Sequence, residues 1–278
     1  EQMSVQDLLK AVAVASGNDA AVALGEAVAG SESALVEQMN QRAAQLGMED
    51  THFVNCTGLP AEGHVTSAWD IAVMSRGLIR RHPDIRRFTT IWMDTLRDGQ
   101  FQLSNTNKLI RFYEGATGLK TGSTDSARYC ISATAEREGM ELIAVVLKSP
   151  TGQQRFEDAK TLLNYGFSTY GLIHAAPEEP LPPVPVQLGA QGTVQPRVDP
   201  AEGLLLAEKS RLQGLEQTVT LPESAAAPVR QGDILGTLTV TQNGETLLEV
   251  PIRAAETVEK LTFGEMFLRL ARTMCFCG

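Results

Sequence analysis

The sequence predicts an α+β chain in two parts, and three observations carry that prediction. In the first part, helical hydrophobic periodicity gives way to strand-like runs, of which 128–136 and 140–148 are typical of an antiparallel hairpin. Five prolines then fall between residues 175 and 185 and interrupt any helix. Beyond them, short apolar runs alternate with turn residues, a pattern that indicates a small β-sandwich.

Helices are predicted over much of the first part. Ser4 followed by Asp7 is a capping-box-like start, and the apolar stripe behind it ends where Gly17 and Asn18 break the period. The other predicted helices cover 19–29, 31–46, 67–81 and 155–170. Strand-like segments lie at 88–93, 101–103 and 117–122, and a Gly-, Asn- and Pro-rich loop lies at 51–65.

The domain bounds follow from these patterns. We expect a first domain over residues 1–174, a Pro-rich linker over 175–185, a β-rich domain over 186–256 and a terminal segment over 257–278. Strands of the second domain are predicted at 184–188, 204–208, 215–221, 234–241 and 246–252. Asn243-Gly244, between the last two strands, is a strong hairpin-turn signal.

The terminal segment has the pattern of an amphipathic helix. Its apolar residues recur every three or four positions, at Phe263, Met266, Phe267, Leu270, Ala271 and Met274. Such a helix is too short to span a bilayer. The pattern alone leaves two roles open, packing against protein and anchoring at a membrane surface.

Composition excludes some classes of function. The formal net charge of −9 and the pI near 5.1 argue against a nucleic-acid partner, since phosphate binding needs a basic patch. The four cysteines show no zinc-type spacing and the four histidines are scattered, so a metal site is not expected.

The start of the chain also carries an expectation. No signal peptide or long transmembrane run is present, and the chain begins at Glu1 and passes at once into a predicted helix. We expect residue 1 to be a truncation point, in which case the missing signal peptide says nothing about localisation.

Two short motifs point to chemistry. Lys120, Thr121 and Gly122 form a K-T-G triplet, which would suit one wall of a cleft: a cation, a hydroxyl for a carboxylate, and room for a peptide along a strand edge. Ser16 and Asn18 frame an S-x-N triplet that could relay a proton and bind an amide. Each triplet alone also fits a plain alternative, a surface turn for the first and ordinary helix-end residues for the second.

A family resemblance bears on that choice. The segments VASGNDAAVAL, FVNCTGLP, LSNTNKL, YEGATGLKTGST and ARYCISATA resemble the low-molecular-mass penicillin-binding proteins, which are serine-type D-alanyl-D-alanine carboxypeptidases. The resemblance covers about residues 1–172 closely and the β-rich tail more loosely. It implies a partial penicillin-binding, transpeptidase-like domain of the β-lactamase type, made of helices and an antiparallel sheet, and it favours a membrane-anchor role for the terminal helix.

The resemblance also implies roles for individual residues. Ser16, Asn18 and Lys120 would be catalytic, and Thr121 and Gly122 would bind substrate. Arg155 falls where similar proteins hold the terminal carboxylate of the substrate, although a surface arginine at a helix start would look the same. Asn105 and Asn107 match a block near the cleft, and turn formation explains them equally well.

One signature of the family is missing from the sequence. No serine in the 278 residues is followed three residues later by lysine, so the S-x-x-K motif with its nucleophile is absent. In the family this motif lies upstream of S-x-N, in a region that would precede Glu1. We therefore expect an open, incomplete sheet with an exposed apolar face, and a fragment less stable than the whole protein.

The implied function is removal of the terminal D-Ala from peptidoglycan stem pentapeptides through an acyl-enzyme, at the outer face of the cytoplasmic membrane. β-Lactams would inhibit the intact enzyme, and no metal or organic cofactor is implied. This chain as given would be inactive. Two alternatives stay open: a non-catalytic remnant that binds peptidoglycan or a partner, and a class A β-lactamase relative.

Overall fold

The computed structural model describes residues 2–177 and 179–268. The chain divides into two compact units, Glu1–Ser168 and Thr169–Gly278. The first combines helices with antiparallel sheet and the second consists mainly of strands, which confirms the predicted α+β fold class.

The four helices predicted in the first 81 residues are all present. They are α1 (Val5–Ala15), α2 (Asn18–Ala29), α3 (Glu32–Leu46) and α4 (Ala68–Arg81). Three of them begin at a serine, because the hydroxyls of Ser4, Ser31 and Ser67 each accept a backbone N–H from the first turn. Gly30 and Gly47 end α2 and α3 in the left-handed conformation that glycine adopts without strain.

The strand predicted at 88–93 is wrong. Pro83–Ile85 form a 3₁₀ turn that runs directly into a short helix, α5 (Arg86–Thr89). Pro83 presets the backbone for such a turn. Thr89, a β-branched residue that suggested a strand, is instead buried, and its hydroxyl donates to the Thr117 carbonyl. Tertiary contacts thus override the local strand preference.

A small hairpin packs against the first helix. It comprises β1 (Met93–Leu96) and β2 (Phe101–Ser104), and a single helical turn, α6 (Leu109–Phe112), follows. Leu96 and Leu103 form a buried cluster with Val14 of α1. This cluster fixes the end of α1 next to the chain that leaves β2.

The main sheet of the first unit has three antiparallel strands in the order β3 (Ala116–Thr124), β4 (Arg128–Arg137) and β5 (Met140–Ser149). Within the described residues β3 pairs only with β4, so its other edge stays open. The predicted hairpin is β4 and β5, joined by a turn at Glu138 and Gly139.

A long helix, α7 (Gly152–Thr169), follows the sheet, as the sequence predicts. It buries Phe156, Ala159, Leu163 and Phe167. Leu162, which the periodicity assigns to the same face, is 49% exposed. The buried apolar face of α7 is therefore narrower than the hydrophobic periodicity of the sequence indicates.

The second unit consists of short strands in three sheets. The strands are β6 (Tyr170–His174), β7 (Val184–Gln187), β8 (Thr193–Val194), β9 (Pro196–Val198), β10 (Leu204–Glu208), β11 (Leu215–Thr220), β12 (Ala225–Ala226), β13 (Ile234–Gln242) and β14 (Glu245–Ala254). Their orders are β10-β6, β11-β13-β14-β9 and β12-β7-β8. Four strands, β6, β8, β9 and β12, are not among those predicted from the sequence, and the last three are too short to show a period. The predicted first domain includes residues 170–174, whereas β6 pairs with β10 in the second unit.

The β13–β14 hairpin turns at Asn243 and Gly244, as predicted. Both have positive φ, 49° and 81°, which is the geometry of a tight hairpin turn. Leu238, Val250 and Ile252 fill the buried cluster beneath these strands.

Residues 263–268 are helical, and the remainder of the predicted amphipathic helix lies outside the described residues. In the described part of the chain, no helix is long and apolar enough to cross a membrane.

Candidate active site

The junction between α1 and α2 forms one wall of the site. Ser16 ends α1 in the left-handed conformation, with φ 62° and ψ 41°, and its backbone N–H donates to the Ala11 carbonyl. Gly17 caps α2 and Asn18 is its first residue. This sharp reversal places the Ser16 and Asn18 side chains on one cleft. A left-handed backbone is energetically unfavourable for a serine. Strained backbone conformations of this kind cluster at functional sites.

The open-edged strand β3 forms the opposite wall. Lys120, Thr121 and Gly122 lie opposite Ser132, Ile131 and Cys130 of β4, respectively. Thr121 is buried, at 6% exposure, whereas Gly122 is exposed. A Cβ at Gly122 would meet no atom within 4 Å, so the strand is bare at this point. An extended peptide could therefore approach the edge closely.

Lys120 joins the two walls. Its ammonium donates to Ser16 Oγ at 2.7 Å and to the Thr121 carbonyl at 2.7 Å. Burial, and to a lesser extent the nearby charge of Arg155, lowers the pKa of Lys120 to about 8. Lys120 is thus mostly charged at neutral pH and close to its titration point, as suits a group that exchanges protons.

Arg155 supports the strand from the first turn of α7. Its Nη1 donates to the carbonyls of Gly122, at 3.1 Å, and of Cys130, at 3.2 Å. The guanidinium lies 4.7 Å from the Phe156 ring centroid and 5.7 Å from that of Tyr129. Among the described residues its buried Nε has no hydrogen-bond partner. Arg155 therefore contacts the K-T-G strand directly and is not a free surface side chain.

The two asparagines that the sequence analysis singled out are buried and support the loop after β2. Asn105 Nδ2 donates to the Thr89 and Ile91 carbonyls, at 3.2 and 2.7 Å. Asn107 Nδ2 donates to the Gly118 carbonyl at 3.0 Å, and its Oδ1 accepts the Leu109 N–H. These contacts occupy both amides with backbone groups, so the structure favours the turn-forming interpretation.

Thr106, between those asparagines, was missed by the sequence analysis. Its hydroxyl accepts a hydrogen bond from Thr121 Oγ1 at 2.7 Å, and its side chain lines the cleft. The segment LSNTNKL, which resembles a family block near the cleft, was the available sequence signal for Thr106. Within that segment, nothing in the spacing or residue type distinguishes the threonine from its turn-forming neighbours.

The cleft between the walls has a volume of about 560 Å³. All six predicted site residues line it: Ser16, Asn18, Lys120, Thr121, Gly122 and Arg155. The Asn18 side chain is exposed and lines the cleft, so its amide is available to a ligand. Residues of the loop at 53–59 close one side.

Cys56 contributes a thiol to the cleft. Burial, followed by its hydrogen bond to Glu32, raises the pKa of Cys56 to about 11. At neutral pH the thiol is protonated, which argues against a cysteine nucleophile. No group of three or more potential metal ligands occurs within residues 2–177 and 179–268.

Chemically, the cleft offers two cations, several hydroxyls, a free amide and a bare strand edge. This set fits an extended peptide that ends in a carboxylate.

The arrangement also agrees with comparison to known proteins, because residues 1–151 match the family model described as D-alanyl-D-alanine carboxypeptidase. The chain belongs to this family. Residues 184–260 of this carboxypeptidase-family chain match a second model, described as the C-terminal domain of penicillin-binding protein 5.

Individual relatives support the assignment. This carboxypeptidase-family chain is 37% identical over 267 residues to the D-alanyl-D-alanine carboxypeptidase DacF of Bacillus subtilis, covering 95% of this chain and 68% of DacF. Penicillin-binding protein 5 of Haemophilus influenzae superposes with a TM-score of 0.68 at 27% identity, covering 94% of this chain and 76% of that one. A cefotaxime-bound penicillin-binding protein D2 of Listeria monocytogenes superposes with a TM-score of 0.56 at 39% identity. The match covers 59% of this chain and 67% of the Listeria chain.

The curated relatives extend beyond the part that this chain matches. The chain spans about two thirds of the length of the curated relatives that it matches. The solved structures that it resembles likewise extend beyond it, since it covers 76% of the Haemophilus protein.

Proposed function

We propose that this chain carries the substrate-binding walls of a serine-type D-alanyl-D-alanine carboxypeptidase, which removes the terminal D-Ala from peptidoglycan stem pentapeptides. The hydrogen bond from Lys120 to Ser16 carries the proposal, because it joins the K-T-G and S-x-N triplets across one cleft. The match of residues 1–151 to the carboxypeptidase family supports the same chemistry.

The residues take distinct roles in this reaction. Thr121 and Arg155 hold the terminal carboxylate, which needs hydroxyl and cationic donors. The Asn18 amide binds the peptide amide, and the peptide lies against the bare edge at Gly122. Lys120 and the Ser16 hydroxyl assist proton transfer to the leaving nitrogen of D-Ala, and the lowered pKa of Lys120 suits that task.

The nucleophile itself is not among these 278 residues. In the intact enzyme, the hydroxyl oxygen of an S-x-x-K serine attacks the penultimate D-Ala carbonyl, and its lysine takes the proton. The C–N bond breaks, D-Ala leaves, and water hydrolyses the acyl-enzyme. Since the relatives are longer than the chain, we propose that a segment outside this sequence supplies that serine.

The proposed cellular location follows from the family's substrate. Because peptidoglycan lies outside the cytoplasmic membrane, we place the site at the outer face of that membrane. β-Lactams would inhibit the intact enzyme, consistent with the cefotaxime-bound Listeria relative. The amphipathic pattern at 257–278 supports attachment to the membrane surface.

A second candidate function is reversible peptide binding without catalysis. The missing S-x-x-K motif favours it for this chain, because the cleft keeps its binding groups while no activated nucleophile is present. A class A β-lactamase activity is less well supported, since residues 184–260 match a penicillin-binding protein domain.

Intact-mass analysis with benzylpenicillin tests the proposal. The chain should gain no mass, whereas reversible binding of diacetyl-L-Lys-D-Ala-D-Ala should appear in an NMR titration. Failure to bind the peptide would overturn the proposed substrate. An adduct mapped to Ser16 would show that Ser16 and Lys120 act as nucleophile and base, and rapid cephalosporin turnover would favour a β-lactamase.

A further inference from the structure

We propose that Thr117 is a positioning residue, whose hydroxyl holds a β-bulge that turns Lys120 toward the cleft. Thr117 lies near the start of β3, three residues before Lys120 and outside the K-T-G triplet. The inference rests on the proposed function, because it concerns how the lysine of that site is aimed.

The pairing of β3 with β4 shifts by one residue at Thr117. Ala116 lies opposite Ala135, whereas Lys120 lies opposite Ser132. A step of four residues along β3 therefore corresponds to only three along β4, which is the count of a β-bulge. In the described pairing of these two strands, Thr117 is the extra residue, left without a cross-strand partner.

The bulge decides which face of β3 carries Lys120. Residues directly opposite each other in an antiparallel pair project to the same face, and neighbours along a strand alternate between faces. If the pairing before the bulge continued unshifted, Lys120 would lie opposite Ile131 instead of Ser132 and project to the other face. In that register the ammonium could not reach Ser16 Oγ, to which it donates at 2.7 Å.

Side chains from three elements hold the extra residue. The Thr117 hydroxyl donates to Glu141 Oε1 of β5 at 2.9 Å and lies 2.7 Å from Thr134 Oγ1 of β4. The Thr117 carbonyl accepts the hydroxyl of Thr89, from α5, at 2.8 Å. Glu141 is fixed in turn by an ion pair with Arg86 of α5. Both the side chain and the backbone of Thr117 are thus held in the bulged arrangement.

The hydroxyl group distinguishes Thr117 from other strand-forming residues. A β-bulge disrupts the ladder of hydrogen bonds between two strands. At Thr117 the hydrogen bonds of the side chain offset that loss, and the one to the Glu141 carboxylate is strengthened by charge. A valine would have a similar shape and strand preference but no hydroxyl, so it would favour the unshifted ladder.

The test follows the Lys120 side chain by NMR titration, with its signal assigned from Lys120→Arg. Thr117→Val removes the hydroxyl and Thr117→Ser retains it. Thr161→Val, on the exposed face of α7, is the matched control. The 278-residue protein itself is used, and urea unfolding is measured alongside. Because no peptide is added, the result is independent of the peptide titration that tests the proposed function.

We expect Thr117→Val to raise the pKa of Lys120 from about 8 toward its ordinary value of 10.5. A lysine released from the cleft loses the burial, and the repulsion by Arg155, that lower its pKa. The backbone NOEs between Lys120 and Ser132 should be lost in the same variant. Thr117→Ser and Thr161→Val should keep the pKa at about 8.

A Thr117→Val variant that is less stable in urea yet keeps the pKa at about 8 would show a merely structural role and overturn the inference. An equal rise in Thr117→Ser or Thr161→Val would also overturn it. If Thr117→Val does not fold, Glu141→Gln replaces it, with Glu136→Gln at the exposed position opposite as its control. Loss of a carboxylate by itself can only lower the pKa of a lysine, so a rise in Glu141→Gln alone supports the inference. No rise in that variant would contradict it.

Discussion

Lys120 and Ser16 lie 104 residues apart in the sequence, yet Lys120 Nζ donates to Ser16 Oγ at 2.7 Å. The hydrogen bond connects the open-edged strand β3 to the turn between α1 and α2. Ser16 reaches this position by adopting a left-handed backbone. The site therefore combines a strained serine with a half-buried lysine, two features that cost stability and are retained where function needs them.

Substitutions at Ser16 should separate strain from function. Ser16→Gly relieves the left-handed backbone, whereas Ser16→Ala keeps it, so the glycine variant should be the more stable by about 1 kcal/mol. Both variants remove an acceptor of the charged lysine and should lower the pKa of Lys120 further below about 8. Urea unfolding and NMR titration of the lysine would check these results. Equal stability of the two variants would argue against strain at this position.

Peptide binding should depend on pH through Lys120. The ammonium is charged below its pKa of about 8 and neutral above it, so the attraction for a carboxylate falls as pH rises through 8. We expect Kd for diacetyl-L-Lys-D-Ala-D-Ala to rise roughly tenfold between pH 7 and pH 9. The C-terminal amide peptide is the control, because its neutral end should show a much smaller change.

Removal of the Arg155 charge should shift that pH dependence. Arg155 lowers the pKa of Lys120 by repulsion, so Arg155→Met should raise it, although burial will keep it below the ordinary value. Arg155→Lys retains a charge and serves as the control. NMR titration of the Lys120 side chain would measure both. An unshifted pKa in Arg155→Met would mean that burial alone sets the value.

Gly122 should be important for binding and not for folding. A methyl group at this position meets no protein atom within 4 Å, so Gly122→Ala should change the free energy of unfolding by less than about 0.5 kcal/mol. The same methyl would stand where a peptide lies along β3, and Kd should rise about tenfold. Gly192→Ala, also free of neighbours, is the control. Unchanged peptide affinity would place the ligand away from this edge.

Asn107 should be important for folding. Its amide is 1% exposed and pairs with the Gly118 carbonyl and the Leu109 N–H. Asn107→Ala leaves both backbone groups buried and unpaired, which should cost about 2 kcal/mol or more in urea unfolding. Asn164→Ala, which removes an exposed hydrogen bond with Tyr113, should cost far less. Similar losses in the two variants would contradict this account.

Much of the fold could be predicted from local pattern. Ser4, Ser31 and Ser67 cap helices in the way that their hydroxyls predispose them to, and Asn243-Gly244 turns the hairpin that this dipeptide favours. The strand predicted at 88–93 failed because burial of Thr89 against β3 outweighs its β-propensity. Such a contact has no local signature.

The candidate site shows the same division. The sequence by itself determined which groups are present: the K-T-G and S-x-N triplets, Arg155, and no S-x-x-K serine among the 278 residues. Only the tertiary structure decided that Lys120 donates a hydrogen bond to Ser16 and that Arg155 donates to the Gly122 carbonyl of strand β3. It also decided that Thr106 and Thr121 are hydrogen-bonded to each other. The physical reason is that chemical identity is a property of each residue. Hydrogen bonding, burial and the pKa of Lys120 are properties of neighbours that the chain brings together only when it folds.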